Sequence, residues 1–91
     1  GMLVMERSQL RQLIALRFRE ALAKRGVVLG EGIESEMALV GSGLDSLGFA
    51  TLIVQLEDAL GCDPFSMSEK LEFPRTFGEL VQLYECCVDL E

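Results

Sequence analysis

Three stretches of this 91-residue chain repeat apolar side chains at helical spacing, and none alternates apolar with polar as a half-buried strand would. The first, over about 6–25, carries Leu10, Leu13, Ile14, Phe18, Ala21 and Leu22 along one stripe, with Gly26 where a helix would stop. The second begins at Asp45 or Ser46, both good N-caps, and runs to about Leu60, ahead of Gly61 and the Asp63-Pro64 turn. A short helix is expected over 66–72, where Ser66 and Glu69 have the spacing of a capping box and Pro74 bars much extension. The last helix follows Thr76 and Glu79, which repeat that box, with Phe77, Leu80, Val81, Tyr84, Cys87 and Val88 on one face. The fold class is therefore all-α: a small bundle of three main helices and one short one, with a long loop between the first and second. Residues 1–91 read as a single domain, whose 49% apolar and 25% charged residues suit a packed core.

The net charge of -7 is unevenly placed, with six basic and two acidic side chains in residues 1–30 against two and thirteen in the rest. An acidic body repels phosphate backbones and attracts basic protein surfaces, so nucleic acid is not expected as a partner. Arg7, Arg11, Arg17, Arg19, Lys24 and Arg25 read as a solvated face whose aliphatic stems lie on the core, although Arg17 falls close to the apolar stripe and Leu16 outside it. There is no histidine, so the usual general base near neutral pH is missing, and so is the commonest neutral metal ligand. Cys62, Cys86 and Cys87 show no Cys-x-x-Cys spacing and are odd in number, so neither zinc nor a disulfide framework is indicated, and a reduced, cytoplasmic setting fits. On the last helix Cys86 points away from the apolar face and is the thiol expected to react, while Cys62 reads as a turn filler. Gly1 before Met2 reads as a cloning remnant, and no signal peptide or membrane span is expected.

Residues 26–45 hold five glycines and no sustained period, and read as an ordered loop that lays Met37, Leu39 and Val40 over the core. Loops of this length tend to be functional, which directs attention to the far end, Gly41-Ser42-Gly43-Leu44-Asp45-Ser46-Leu47. Ser46 at a helix start meets free backbone N–H groups and the positive end of the helix dipole, a place that suits a phosphate ester. With no histidine to activate its hydroxyl, another enzyme would have to modify it; the simpler reading is that Ser46 only caps the helix. On the same helix Phe49, Leu52, Ile53, Leu56, Ala59 and Leu60 make a core face. Leu47, Ala50 and Val54 gather on roughly the opposite side, flanked by Thr51, Glu57 and Asp58. That strip reads as a partner surface, or else as one buried under the loop or a neighbouring helix.

Gly43-Leu44-Asp45-Ser46-Leu47 resembles the attachment motif of acyl carrier proteins, and Phe73-Pro74-Arg75-Thr76-Phe77-Gly78-Glu79-Leu80-Val81 is similar to the entry to that family's last helix. The likeness covers nearly the whole chain. It implies that Ser46 receives 4'-phosphopantetheine from coenzyme A through a separate Mg2+-dependent transferase, with Asp45 beside that enzyme's metal and basic surface and Leu47 next to the attachment point. It further implies a non-catalytic carrier, a monomer, that holds acyl groups as thioesters for enzymes of fatty acid, polyketide or specialised lipid biosynthesis. Its partners would be acyl-ligase, ketosynthase or acyltransferase type enzymes with basic docking surfaces, which Leu47, Ala50, Thr51, Val54, Glu57 and Asp58 would meet. Phe49, Ile53, Leu56, Phe73, Leu80 and Tyr84 are candidates to shelter a chain inside the bundle, or equally to make an ordinary filled core.

Three features depart from the family's pattern: Thr51 stands where many such carriers have an acidic residue, Gly48 replaces a polar residue, and the first helix is unusually basic. They point to a specialised carrier. The alternatives are an aminoacyl or peptidyl carrier, whose motif often has Gly-Gly where this chain has Gly43-Leu44, and an unmodified helical adaptor in which Ser46→Ala is harmless. An enzyme finds little support in the residues present.

Overall fold

The computed structural model describes residues 4–30, 32–65 and 74–90. In chain order the elements are β1 (Val4–Met5), α1 (Arg7–Ala23), α2 (Ser46–Leu60), α3 (Phe77–Glu85) and β2 (Asp89–Leu90). The expected helix over 66–72, and Phe73 with it, lies outside the described residues.

Each long helix begins and ends where local chemistry stops it. Ahead of α1 the Glu6 N–H donates to Gln9 Oε1 at 2.9 Å, a reach-back from the third residue of the helix. Asp45 caps α2 through its side chain, and Gly61 closes it in the left-handed region at φ 72°. At α3 the Glu79 N–H donates to Thr76 Oγ1 at 3.2 Å, as the expected box requires. The Thr76 hydroxyl in turn donates to Glu79 Oε2, so the carboxylate holds the cap's side chain rather than its backbone.

The core is the meeting of three stripes. Leu10, Ile14, Phe18 and Leu22 of α1 face Leu52, Leu56 and Leu60 of α2 and Phe77, Leu80 and Tyr84 of α3, all of them buried. The Phe18 and Phe77 rings pack with centroids 5.8 Å apart. Leu16 is exposed, as its position outside the stripe requires, and Ala59 is exposed although the helical count put it on the core face. The long loop contributes Leu39 and Ile33 as buried residues and Met37 at the margin. Val40, expected over the core, is 80% exposed instead, because the chain turns outward after Leu39.

The basic residues of α1 and of the turn just past it are not simply a solvated face. Arg19 donates to the carbonyls of Leu29 and Gly30, Arg11 to that of Ile33, and Arg25 to Asp45. The Arg11 guanidinium also lies 4.9 Å from the centre of the Phe77 ring. These contacts tie the 26–45 loop along α1, while Arg7 pairs with Glu85 of α3 and Arg17 with Glu20. The other side of the loop is held by backbone bonds to the start of α3, from Leu39 N–H to the Arg75 carbonyl and from Phe77 N–H to that of Met37, both 2.9 Å.

Two further expectations are corrected. β1 and β2 pair in parallel, Val4 with Asp89 and Met5 with Leu90, although no strand was expected; two residues are too few to show an alternating pattern. Cys62 and Cys87 are joined as a disulfide, with Cα atoms 6.2 Å apart. Spacing along the chain could not show this pairing, because the cysteines meet only once α3 has ended at Glu85 and the chain has turned back over the end of α2. Cys87 and Val88 therefore follow the helix instead of lying on it. Cys86, the residue that caps the end of α3, is a free, exposed thiol, as expected.

Candidate functional site

Asp45 and Ser46 stand where the long loop enters α2. Asp45 has extended backbone, and this turns its carboxylate back onto the first turn of the helix, where Oδ1 accepts from the Gly48 N–H at 2.7 Å. Ser46 is then the first helical residue and is exposed. Its N–H and that of Leu47 precede the first intrahelical bond, from Phe49 N–H to the Asp45 carbonyl at 2.8 Å. A hydroxyl so placed is open to a foreign active site and lies at the positive end of a 15-residue helix.

The Asp45 carboxylate has a second partner. Arg25, just past the end of α1, directs Nε and Nη2 at the same Oδ1, at 3.1 and 3.0 Å. The Gly48 N–H first, and the Arg25 guanidinium second, hold the Asp45 carboxyl below its ordinary value. Beside Ser46 lies an open groove of about 280 Å3, lined by Leu39, Val40, Gly41, Leu44 and Phe49 together with Asp45.

Along the outer face of α2 the apolar strip is uncovered. Leu47 is 70% and Val54 62% exposed, and Ala50, Thr51, Glu57 and Asp58 are exposed with them. Among the described residues neither the loop nor a neighbouring helix buries this strip, which favours the partner-surface alternative. At its far end Val54, Glu57 and Asp58 join Asp63 around a second groove, of about 500 Å3, whose acidic rim suits basic side chains.

The six residues considered as shelter for a chain separate. Leu56, Leu80 and Tyr84 are fully buried, Ile53 is partly buried, Phe73 is outside the described residues, and Phe49 alone of the set lines the groove at Ser46. Among the described residues no group of three or more His, Cys, Asp or Glu is gathered as a metal site. Sequence reasoning missed Arg25, which it placed in a solvated face, and Val40 and Gly41 as groove residues. One signal was legible: Gly48, a residue without a side chain on the first turn of a helix that has every other reason to carry one.

A bundle of three helices, with an exposed serine at the start of one and an exposed apolar strip beside it, is the arrangement expected of a small helical carrier. The chain belongs to the phosphopantetheine attachment site family, whose model matches residues 8–83. Members carry a covalently attached 4'-phosphopantetheine group, are generally non-catalytic, and meet phosphopantetheinyl transferases and acyl-handling enzymes. No curated protein and no solved structure is significantly similar to the chain.

Proposed function

We propose that this protein is an acyl carrier protein that takes 4'-phosphopantetheine on Ser46 and delivers acyl groups to partner enzymes of fatty acid, polyketide or specialised lipid biosynthesis. The observation that carries this reading is the exposed Ser46 hydroxyl at the first residue of α2, opening onto a groove with mostly apolar walls. The residues around it fit the group. A phosphodiester on Ser46 Oγ would meet the positive end of α2, and the groove of Leu39, Val40, Leu44 and Phe49 has room for an aliphatic stem.

The attached group supplies a terminal thiol, which holds the cargo as a thioester. The rest is the work of this chain's own surface. Ser46 offers its oxygen and has no histidine in the chain to activate it, so the transferase supplies the base. Leu47, Ala50 and Val54 offer apolar contact, while Glu57, Asp58 and Asp63 attract Lys and Arg of a partner, which speeds encounter without requiring tight binding. Thr51 lies within that patch and is neutral, a difference that would alter which enzymes dock.

The test is the intact mass of the chain after incubation with coenzyme A, Mg2+ and a broad-specificity phosphopantetheinyl transferase. Wild type gains one phosphopantetheine and Ser46→Ala gains none; a wild-type chain that stays bare under these conditions overturns the reading. Gly43-Leu44 before Asp45 favours acyl over aminoacyl cargo. Loading of the modified protein by acyl ligases, and not by amino-acid-activating ligases, is the expected outcome.

A further inference from the structure

Two departures from the family's pattern, the glycine at 48 and the basic first helix, meet at one oxygen atom. Asp45 Oδ1 accepts three donors: the Gly48 N–H at 2.7 Å, Arg25 Nε at 3.1 Å and Arg25 Nη2 at 3.0 Å. A helix cap needs only the first of these. The Arg25 side chain is largely covered, at 28% exposure, whereas that of Asp45 is 65% exposed. Glycine is what admits the guanidinium: a Cβ at position 48 would lie 2.8 Å from Arg25 Nε, 2.7 Å from Leu44 Cδ1 and 3.0 Å from Asp45 Oδ1 itself.

We propose that Arg25 is a positioning residue for Asp45, admitted by Gly48, and that it fixes the carboxylate next to Ser46 in the orientation that the modifying transferase recognises. The proposal rests on the reading that Ser46 is the attachment site. With Oδ1 occupied on three sides, the carboxylate cannot rotate about its own bond without breaking the cap and the ion pair together, and Oδ2 is the oxygen left to a visitor. The ion pair also neutralises the motif. That separates two roles that are usually confounded, since removing Arg25 makes the region around Ser46 more negative while leaving the carboxylate freer to turn. If charge alone drew the transferase's basic surface, the loss of Arg25 would strengthen docking; if orientation matters, the loss weakens it.

The experiment measures kcat and KM for transfer of phosphopantetheine to wild type, Arg25→Gln, Arg25→Lys and Gly48→Ala, with thermal unfolding as a check on folding. The expected result is a KM raised by about 2- to 5-fold in Arg25→Gln and Gly48→Ala with kcat unchanged, the range that a solvent-facing ion pair supports. Arg25→Lys, which keeps the charge but not the fork, restores part of the loss. Gly48→Ala carries an intact Arg25 and approaches the contact from the other helix, so the test survives a failure of either variant to fold.

A second readout is independent of transfer. In a Ser46→Ala background, which cannot be modified, the Arg25 Nε–H exchanges slowly with water, and it exchanges fast once Gly48→Ala is added. Wild-type KM in Arg25→Gln or Gly48→Ala, tighter docking in Arg25→Gln, or an Nε–H that exchanges fast in the Ser46→Ala background each overturns the proposal. A wild-type chain that takes up no phosphopantetheine while its Arg25 Nε–H is protected instead overturns the assignment of Ser46.

Discussion

Removing the charge of Asp45 by Asp45→Asn keeps a good N-cap while taking away the partner of Arg25. The Gly48 N–H and the guanidinium hold the folded carboxyl below its ordinary value of 3.8. Its contribution to stability is therefore present above that value and is lost as pH falls through the lower folded value. Asp45→Asn should melt at a lower temperature than wild type near neutral pH, and the gap should close as the pH falls below about 4. Tyr84 is the opposite case. Burial above all, then the charges of Asp63 and Glu57, raises its phenol well above the ordinary value of 10, and its hydroxyl is buried with no hydrogen-bond partner among the described residues. The native state keeps that proton after the unfolded chain has begun to lose it, so wild type should lose stability as pH rises past about 10, whereas Tyr84→Phe should lose less. At pH 7 Tyr84→Phe removes an unsatisfied hydroxyl and should match wild type or exceed it by up to about 1 kcal/mol in denaturant titrations.

At the scale of elements, the loop over 26–45 depends on contacts from two helices. Its conformation is imposed from both sides, by arginines of α1 reaching its carbonyls and by backbone bonds to the start of α3. Gly43 lies in this loop at φ 107°, and a Cβ there would fall 2.7 Å from Val27 Cγ2. Gly43→Ala should cost about 1–3 kcal/mol in urea unfolding and disturb the groove beside Ser46. The three described helices are legible in the sequence because their signals are local: Asp45 as cap, Gly61 as stop and Thr76 with Glu79 as box all act within four residues. The loop's anchors were not, because Arg19 finds Leu29 and Arg11 finds Ile33 only after the chain has folded back along α1. A row of arginines looks the same in sequence whether it faces water or staples a loop.

For the whole molecule, the disulfide closes the chain between residues 62 and 87, a separation of 25. Cross-linking a loop of this length restricts the unfolded chain by about 3–4 kcal/mol in the entropic account, so reduction should lower the stability by an amount of that order, measured by unfolding with and without a thiol reductant. Before reduction, a thiol reagent should label Cys86 in the folded protein and leave Cys62 and Cys87 untouched. The candidate site divides in the same way as the fold. Ser46, Asp45 and the strip of Leu47, Ala50 and Val54 were evident from order alone, since helical spacing decides which residues share a face and a cap motif decides where the helix begins. Sequence by itself thus determined the helices, the stripes that bury and the serine that leads α2. Only the tertiary structure decided that Arg25 meets Asp45 opposite Gly48, that Val40 turns out to wall a groove, and that Cys62 meets Cys87. The first and last of these join residues 20 or more apart in the chain, and the groove follows from how the loop is held against the helices; no local rule of spacing or propensity decides either until the three helices have packed.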